Sequence, residues 1–163
     1  MLDSRYINYE SILNREIEVA GLKSKVFMLD TLSYEELAAC RFYAHMSILV
    51  SNEPEGFGYA NLEAMLSGVP VITSRLGGPL DYIRHEETGL LVDPDDHHSL
   101  AIAIRRLDQD HQLYQRIANQ AMSCAGQYTI ERMIDGYMRV MMINNISPQF
   151  NDAPHHEPVR DDT

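Results

Sequence analysis

Apolar positions Leu2, Tyr6, Tyr9, Leu13, Ile17 and Ala20 recur at steps of three and four, which predicts one face of a helix. Gly21 is placed to end it, with Leu22 packing back on the last turn. The apolar run Val26-Phe27-Met28-Leu29 then predicts a short buried strand. Ser33 and Glu36 stand three apart as a capping box, opening a second helix that runs to about His45. Ile48-Leu49-Val50 predicts another buried strand, followed by the loop Glu53-Pro54-Glu55-Gly56-Phe57-Gly58 and a helix over about 59–67. Gly68 closes that helix, and a third strand is predicted over 69–73. Gly77-Gly78-Pro79 turns the chain into a short helix over about 80–84, and 89–92 reads as a fourth strand. Three amphipathic helices follow, over 99–107, 112–125 and 130–143.

Strands alternating with helices at this spacing predict parallel βαβ units, hence an α/β fold with a Rossmann-like parallel sheet flanked by helices. Ligands in such sheets sit beyond the carboxyl ends of the strands, so the loop after Val50 is the first place to look for chemistry. The chain has 163 residues, enough for one domain with a real core and not comfortably enough for two. We expect that domain over 1–146. Residues 147–163, with three prolines, four acids and no apolar periodicity, are expected to form a disordered acidic tail.

Composition narrows the class of partner. The net charge of −11 argues against nucleic acid and against a broad electrostatic grip on anionic lipid. Cys40 and Cys124 are too few for a disulfide framework and are not spaced as metal ligands. No apolar stretch approaches the length of a spanning helix, and the polar, helix-like start MLDSRYINYE is not expected to act as a leader. A reduced, cytoplasmic protein is the expectation.

The segment SNEPEGFGYANLEAMLSGVPVITS carries the candidate chemistry. Glu55 falls in a loop at the amino end of a helix, and Glu63 lies about a turn and a half further along. Both are expected to face one cleft. Gly56 and Gly58 let the backbone approach a ligand where a Cβ would obstruct it. The N–H groups of Tyr59 and Ala60 open the helix and suit a phosphate, with the helix field adding roughly 0.3–1 kcal/mol for an anion. Amides for a phosphate beside two carboxylates for hydroxyl groups suit a phosphorylated sugar.

The run EGFGYANLEAMLSGVPVITS, followed by Gly77-Gly78 and then TGLLV, closely resembles the donor-binding domain of GT-B fold glycosyltransferases of family 4. The resemblance covers the chain from about Val26 to Tyr137. It implies a nucleotide-sugar donor, UDP- or GDP-linked, and transfer with retention to a saccharide or lipid-linked acceptor, as in polysaccharide synthesis by hexosyltransferases. Carried over by residue, it implies that Glu63 accepts hydrogen bonds from ribose hydroxyls. It makes Glu55 the candidate catalytic residue, contacting hydroxyls of the transferred sugar with the backbone of Gly56, Phe57 and Gly58. The amides of Tyr59 and Ala60 hold the diphosphate, and the loop after Leu29 lies near the nucleobase. No metal or other cofactor is expected. Protein donors stabilise the leaving diphosphate, and in the family its departing oxygen is the group proposed to deprotonate the acceptor.

The chain also departs from the family pattern. Tyr59 stands where leucine is usual, and the Arg and Lys that neutralise the diphosphate in the family are missing, since Lys23 and Lys25 lack the matching context. The amino-terminal acceptor domain and the first two strands of the donor domain are expected to be absent. The strand at 26–29 would then have no partner, and the strand at 48–50 would have an open edge. Two readings follow. One is the donor-binding half of a glycosyltransferase, inactive without a missing part or partner chain. The other is a truncated, non-catalytic fragment or assembly subunit. The sugar-nucleotide 2-epimerases share the fold without the EGFG-to-LEAM string and rank below both. An open sheet edge makes a homo-oligomer a further expectation, and peripheral attachment to the inner face of the membrane is another.

Several residues admit plainer readings. Gly77-Gly78 is read equally as a strand-to-helix turn or as a ligand-contacting loop, and Asp81 as an acid at a helix start. The pairs His97-His98 and His155-His156 suggest metal, but adjacent residues point apart on regular elements. Cys40 and Cys124 read as small core residues rather than nucleophiles, and His45 as a capping group at a helix end rather than an acid–base group. Arg105, Arg106, Met138, Met141 and Met142 form either a partner surface or, as we prefer, a mixed helix face with ordinary core filler.

Overall fold

A computed structural model of the chain describes residues 4–143. They fall into two compact units, divided between Cys40 and Arg41.

The first unit holds α1 (Ser4–Val19) and the start of α2 (Tyr34–Tyr43). The turn after α1 is the one its sequence predicts. Gly21 adopts a left-handed φ of 67°, its N–H donates to the Glu18 carbonyl at 3.0 Å, and the Leu22 N–H donates to Ile17 at 2.9 Å. These two bonds are a Schellman closure, which satisfies carbonyls that the helix end leaves over. The capping box also forms: the Ser33 N–H donates to Glu36 Oε2 at 2.8 Å and the Glu36 N–H to Ser33 Oγ at 3.2 Å.

The strand expected at 26–29 does not form. A strand needs a neighbour to complete its ladder, and no described strand pairs with this segment. Its side chains are correspondingly open, with Phe27 75% and Leu29 65% exposed. Cys40 is likewise exposed rather than a core residue, because α2 buries none of its residues.

The second unit carries β1 (Ser47–Leu49), α3 (Tyr59–Leu66), β2 (Val71–Ser74), β3 (Leu90–Val92), α4 (His97–Gln109), α5 (His111–Ala125) and α6 (Ile130–Ile143). The strands form one parallel sheet in the order β1-β2-β3, with Ile48 opposite Ile72 and Ile72 opposite Leu90. Strand periodicity then sorts side chains onto two faces. Val71 and Leu91 join Leu62, Met65, Ile83, Ala121 and Ala125 in one core. Ile72, Leu90 and Val92 join Ala103, Leu107, Leu113 and Ile117 in another. Every residue of β2 and of the edge strand β3 is buried, whereas β1, the other edge strand, leaves Ile48 42% exposed.

The expected short helix at 80–84 is instead a 3₁₀ turn over Gly78–Asp81, started earlier by Pro79, whose fixed φ suits a helix start. Helix α4 begins two residues sooner than its apolar pattern indicates. Asp96 caps it, accepting from the N–H groups of His98 and Ser99 at 3.0 Å each. Asp110 ends α4 and starts α5, with its carboxylate accepting from the Leu113 N–H at 2.9 Å. Replacing Asp110 with alanine should destabilise the protein by about 1 kcal/mol, read as a lowered midpoint in urea; an unchanged midpoint would remove this cap from the account.

Cys124 does behave as a core residue, packing against the first core and donating from Sγ to the Tyr82 carbonyl at 3.5 Å. Arg105 and Arg106 lie on an exposed helix face, where Arg106 pairs with Glu86 at 2.6 Å. Met138 is half-buried. On α6, Ile130, Met133, Ile134, Tyr137 and Val140 are exposed. The side chains of Met141 and Met142, the predicted tail at 147–163 and the pair His155-His156 lie outside the described residues. Among the described residues, no helix is long and apolar enough to cross a membrane.

Candidate functional site

The chain leaving the carboxyl end of β1 is tied down at once. The Ser51 N–H donates to Ser74 Oγ at 2.8 Å, at the end of β2. The Thr73 hydroxyl donates to the Leu49 carbonyl at 2.8 Å and accepts from Asn61 Nδ2 at 3.4 Å. Asn61 is fully buried in the first turn of α3, so this chain of contacts fixes that turn over the ends of β1 and β2. Among the described residues, its Oδ1 has no hydrogen-bond partner.

Residues 55–58 are then braced from the other side by the loop after β2. The Gly78 N–H donates to the Glu55 carbonyl at 3.0 Å. The two segments lie so close that a Cβ on Gly78 would sit 1.6 Å from the Gly56 carbonyl oxygen, and one on Gly77 would sit 2.3 Å from that of Glu55. Gly77-Gly78 is therefore a surface for close backbone packing, beyond what either sequence reading of this pair provided. The Tyr82 hydroxyl completes the brace, lying 2.8 Å from the Phe57 carbonyl and 2.9 Å from that of Gly58. Burial pushes the Tyr82 phenol up to about 12, so it remains a neutral donor through the physiological range. Thr88 in turn holds the Tyr82 backbone, its hydroxyl donating to the Tyr82 carbonyl at 2.9 Å.

What this frame presents is the start of α3. Gly58 caps the helix in the left-handed conformation, φ 74° and ψ 53°, and offers no side chain to the first turn. The amides of Tyr59 and Ala60 precede the first amide that bonds back into the helix, the Asn61 N–H to the Gly58 carbonyl at 3.0 Å, so they are open to an external acceptor, and both residues are exposed. Gly56 is exposed and has nothing within 4 Å of a would-be Cβ. Phe57 is half-buried and faces Tyr59, Tyr82 and Tyr128 at ring-centre distances of 5.2, 5.4 and 5.7 Å. Phe57 and Tyr59 also border a cleft of about 830 Å³ that includes Tyr128, Arg132 and Tyr137.

The two carboxylates are placed differently. Glu55 is exposed, and its main chain makes the contacts to Gly77 and Gly78. Glu63 sits a turn into α3, paired through Oε2 with Nη2 of Arg41, in the last turn of α2. Neither lines the aromatic cleft. Arg41 and Tyr82 are the residues that sequence reasoning missed. Each acts on a partner more than twenty positions away, which no local spacing encodes.

His45 stacks on Tyr114 with ring centres 4.7 Å apart and has Asp108 at 3.9 Å, so its role is packing rather than capping. His97 and His98 form the first turn of α4. Among the described residues, no three His, Cys, Asp or Glu side chains converge as metal ligands.

The chain is similar in sequence and fold to known proteins. The family described as glycosyl transferases group 1 matches residues 7–123. An exopolysaccharide phosphotransferase of Streptomyces coelicolor is 39% identical over 114 residues, 68% of this chain and 12% of that protein. A D-inositol 3-phosphate glycosyltransferase of Corynebacterium glutamicum is 30% identical over 146 residues, 90% of this chain and 32% of that protein. Among solved structures, Anabaena Alr3699/HepE in complex with UDP and glucose superposes with a TM-score of 0.75 at 26% identity, covering 84% of this chain and 37% of that one. Sucrose-phosphate synthase from Thermosynechococcus elongatus gives 0.70 at 27% identity, covering 82% and 34%. The chain thus spans about a third or less of the proteins it matches here. It belongs to the glycosyl transferases group 1 family, and its parallel sheet with flanking helices matches the Rossmann-like carboxyl-terminal domain of GT-B glycosyltransferases.

Proposed function

We propose that this chain is the donor-binding part of a retaining, family 4 glycosyltransferase that takes a hexose from a UDP- or GDP-sugar. The observation that carries the reading is the start of α3, where two amides without a side-chain cap stand behind a left-handed glycine, with Glu63 a turn away. In this reading the amides of Tyr59 and Ala60 hold the diphosphate, and the helix field favours its charge. Glu63 accepts from the ribose hydroxyls. Glu55, with the backbone of Gly56, Phe57 and Gly58, contacts the sugar and its reacting end. No metal takes part. As the glycosidic bond breaks, charge grows on the departing diphosphate, and preorganised amides stabilise it more than they stabilise the bound donor. The acceptor, a saccharide or a lipid-linked one, comes from another domain or chain, at the cytoplasmic face of the membrane. The likeness to HepE, solved with UDP and with UDP-glucose, supports a uridine donor.

Calorimetry with UDP-, GDP- and ADP-glucose tests this on the purified chain. Selective binding of one nucleotide sugar is expected, unchanged by EDTA. Glu63→Ala should weaken it by about 1.5–3 kcal/mol through loss of a charged hydrogen bond. Equal affinity in the variant would remove Glu63 from the site, and no binding by the folded chain would leave the assembly-subunit reading in its place.

A further inference from the structure

Arg41 and Glu63 are unequally hidden. The Arg41 side chain is 16% exposed and that of Glu63 is 39% exposed. A guanidinium withdrawn that far from water needs a carboxylate, because breaking the pair would strand a buried charge. Glu63 is its only ionic partner among the described residues. The pair therefore stands before any ligand arrives, and it commits the Glu63 side chain to one orientation. The contact runs from Nη2 of Arg41 to Oε2 of Glu63. A carboxylate has acceptor positions on both oxygens, so a single guanidinium contact leaves acceptor capacity for a further donor.

We propose that Arg41 is a positioning residue, holding the Glu63 carboxylate so that Oε1 meets the hydroxyls of a nucleotide's ribose, and that this pair makes the site select ribonucleotides over their deoxy counterparts. The inference rests on the reading that Glu63 faces the ribose and adds the group that orients it. The physical reason is preorganisation. A glutamate with three free torsions would have to be ordered at each binding event, whereas one clamped by a planar guanidinium already is. The clamp acts on hydroxyl recognition alone, so the diphosphate contacts at the start of α3 should be indifferent to it.

The test is calorimetric titration of the full chain with UDP and 2′,3′-dideoxy-UDP, and with the guanosine pair if GDP proves the tighter ligand. The natural sequence should prefer the ribonucleotide by about tenfold or more, as expected for a charged hydrogen bond, and Glu63→Ala should abolish the preference. Arg41→Met should lower UDP affinity by about tenfold while leaving dideoxy-UDP within about twofold, so that the preference collapses. Arg41→Lys keeps the buried charge without the planar fork and should retain only part of the preference. It decides the matter if Arg41→Met does not give a cooperative melt.

Each remaining outcome is decisive. Full ribose preference in a folded Arg41→Met or Arg41→Lys variant overturns the positioning role and leaves Glu63 as the ribose acceptor. Equal loss for UDP and dideoxy-UDP also overturns it, since Arg41 would then act on the phosphates or on the scaffold. If the natural sequence itself shows no preference, or Glu63→Ala keeps it, the ribose assignment of Glu63 fails and takes the inference with it. If no nucleotide binds, the donor reading fails first.

Discussion

Gly78→Ala should destabilise the protein by at least about 3 kcal/mol, the upper end of what an added methyl costs in a packed interior. The new Cβ would stand 1.6 Å from the Gly56 carbonyl oxygen, 2.7 Å from its carbon and 2.9 Å from Phe57 Cα. All three are main-chain atoms, so no side-chain rotation relieves the clash. The two loops must separate, and the 3.0 Å bond from the Gly78 N–H to the Glu55 carbonyl breaks as they do. Urea denaturation of Gly78→Ala reads the effect, and a midpoint equal to that of the natural sequence would sink the close-packing account. Gly56→Ala is the matching control. Nothing lies within 4 Å of a Cβ there, so its stability should stay within about 0.5 kcal/mol.

Tyr82→Ala is the second large effect, expected to cost about 3–5 kcal/mol as a buried aromatic is emptied from the first core. Tyr82→Phe separates the hydroxyl from the ring. It keeps the packing but leaves the carbonyls of Phe57 and Gly58 without their phenol donor, which should cost about 1–2 kcal/mol. Alkaline titration gives an independent readout. In the folded chain burial raises the Tyr82 phenol to about 12, whereas in the unfolded chain it titrates near its ordinary value of 10.0. Its contribution is thus fully present below about pH 10 and declines as pH rises toward 12, because only the unfolded state then gains the charge. The natural sequence should lose stability across that interval more steeply than Tyr82→Phe. Parallel curves would mean that the hydroxyl is not protected as described.

Features whose partners lie within a few residues were legible in the sequence. The glycine closure at Gly21 and the capping box at Ser33 and Glu36 each involve neighbours within five positions; the helix ends at Gly21 as expected, and the capping box formed between the two residues named for it. The loop bearing Glu55, Gly56 and Gly58 was legible for a different reason, since its string of residue types is distinctive as a whole. Pairing across the chain was legible in part: parallel strands, an open edge at 48–50 and a segment at 26–29 without a partner were all expected, but not that this segment then forms no strand. Residues 26–29 have the composition of a buried strand, yet a strand is a relation between two segments, and the described residues supply no second one. Cys40 fits an apolar helix stripe by spacing, but spacing does not say whether anything packs on that stripe. Arg41 and Tyr82 carried no signal of their own, because what matters about each is an atom more than twenty residues distant.

The brace on residues 55–58 has a consequence for how this site can change. Both of its fixings, the Gly78 amide and the Tyr82 hydroxyl, end on main-chain oxygens. Among the described residues, the contacts that hold this loop involve the main chain of Glu55 and not its side chain. Residue identity at that position is thereby uncoupled from loop shape, and a family built on this frame is free to exchange the group it presents beside the start of α3 without rebuilding the frame. Insertion or deletion has no such freedom. One residue more or less between Glu55 and Gly58 would shift the carbonyls out of register with Gly78 and Tyr82 together, so the two loops can lengthen only in concert.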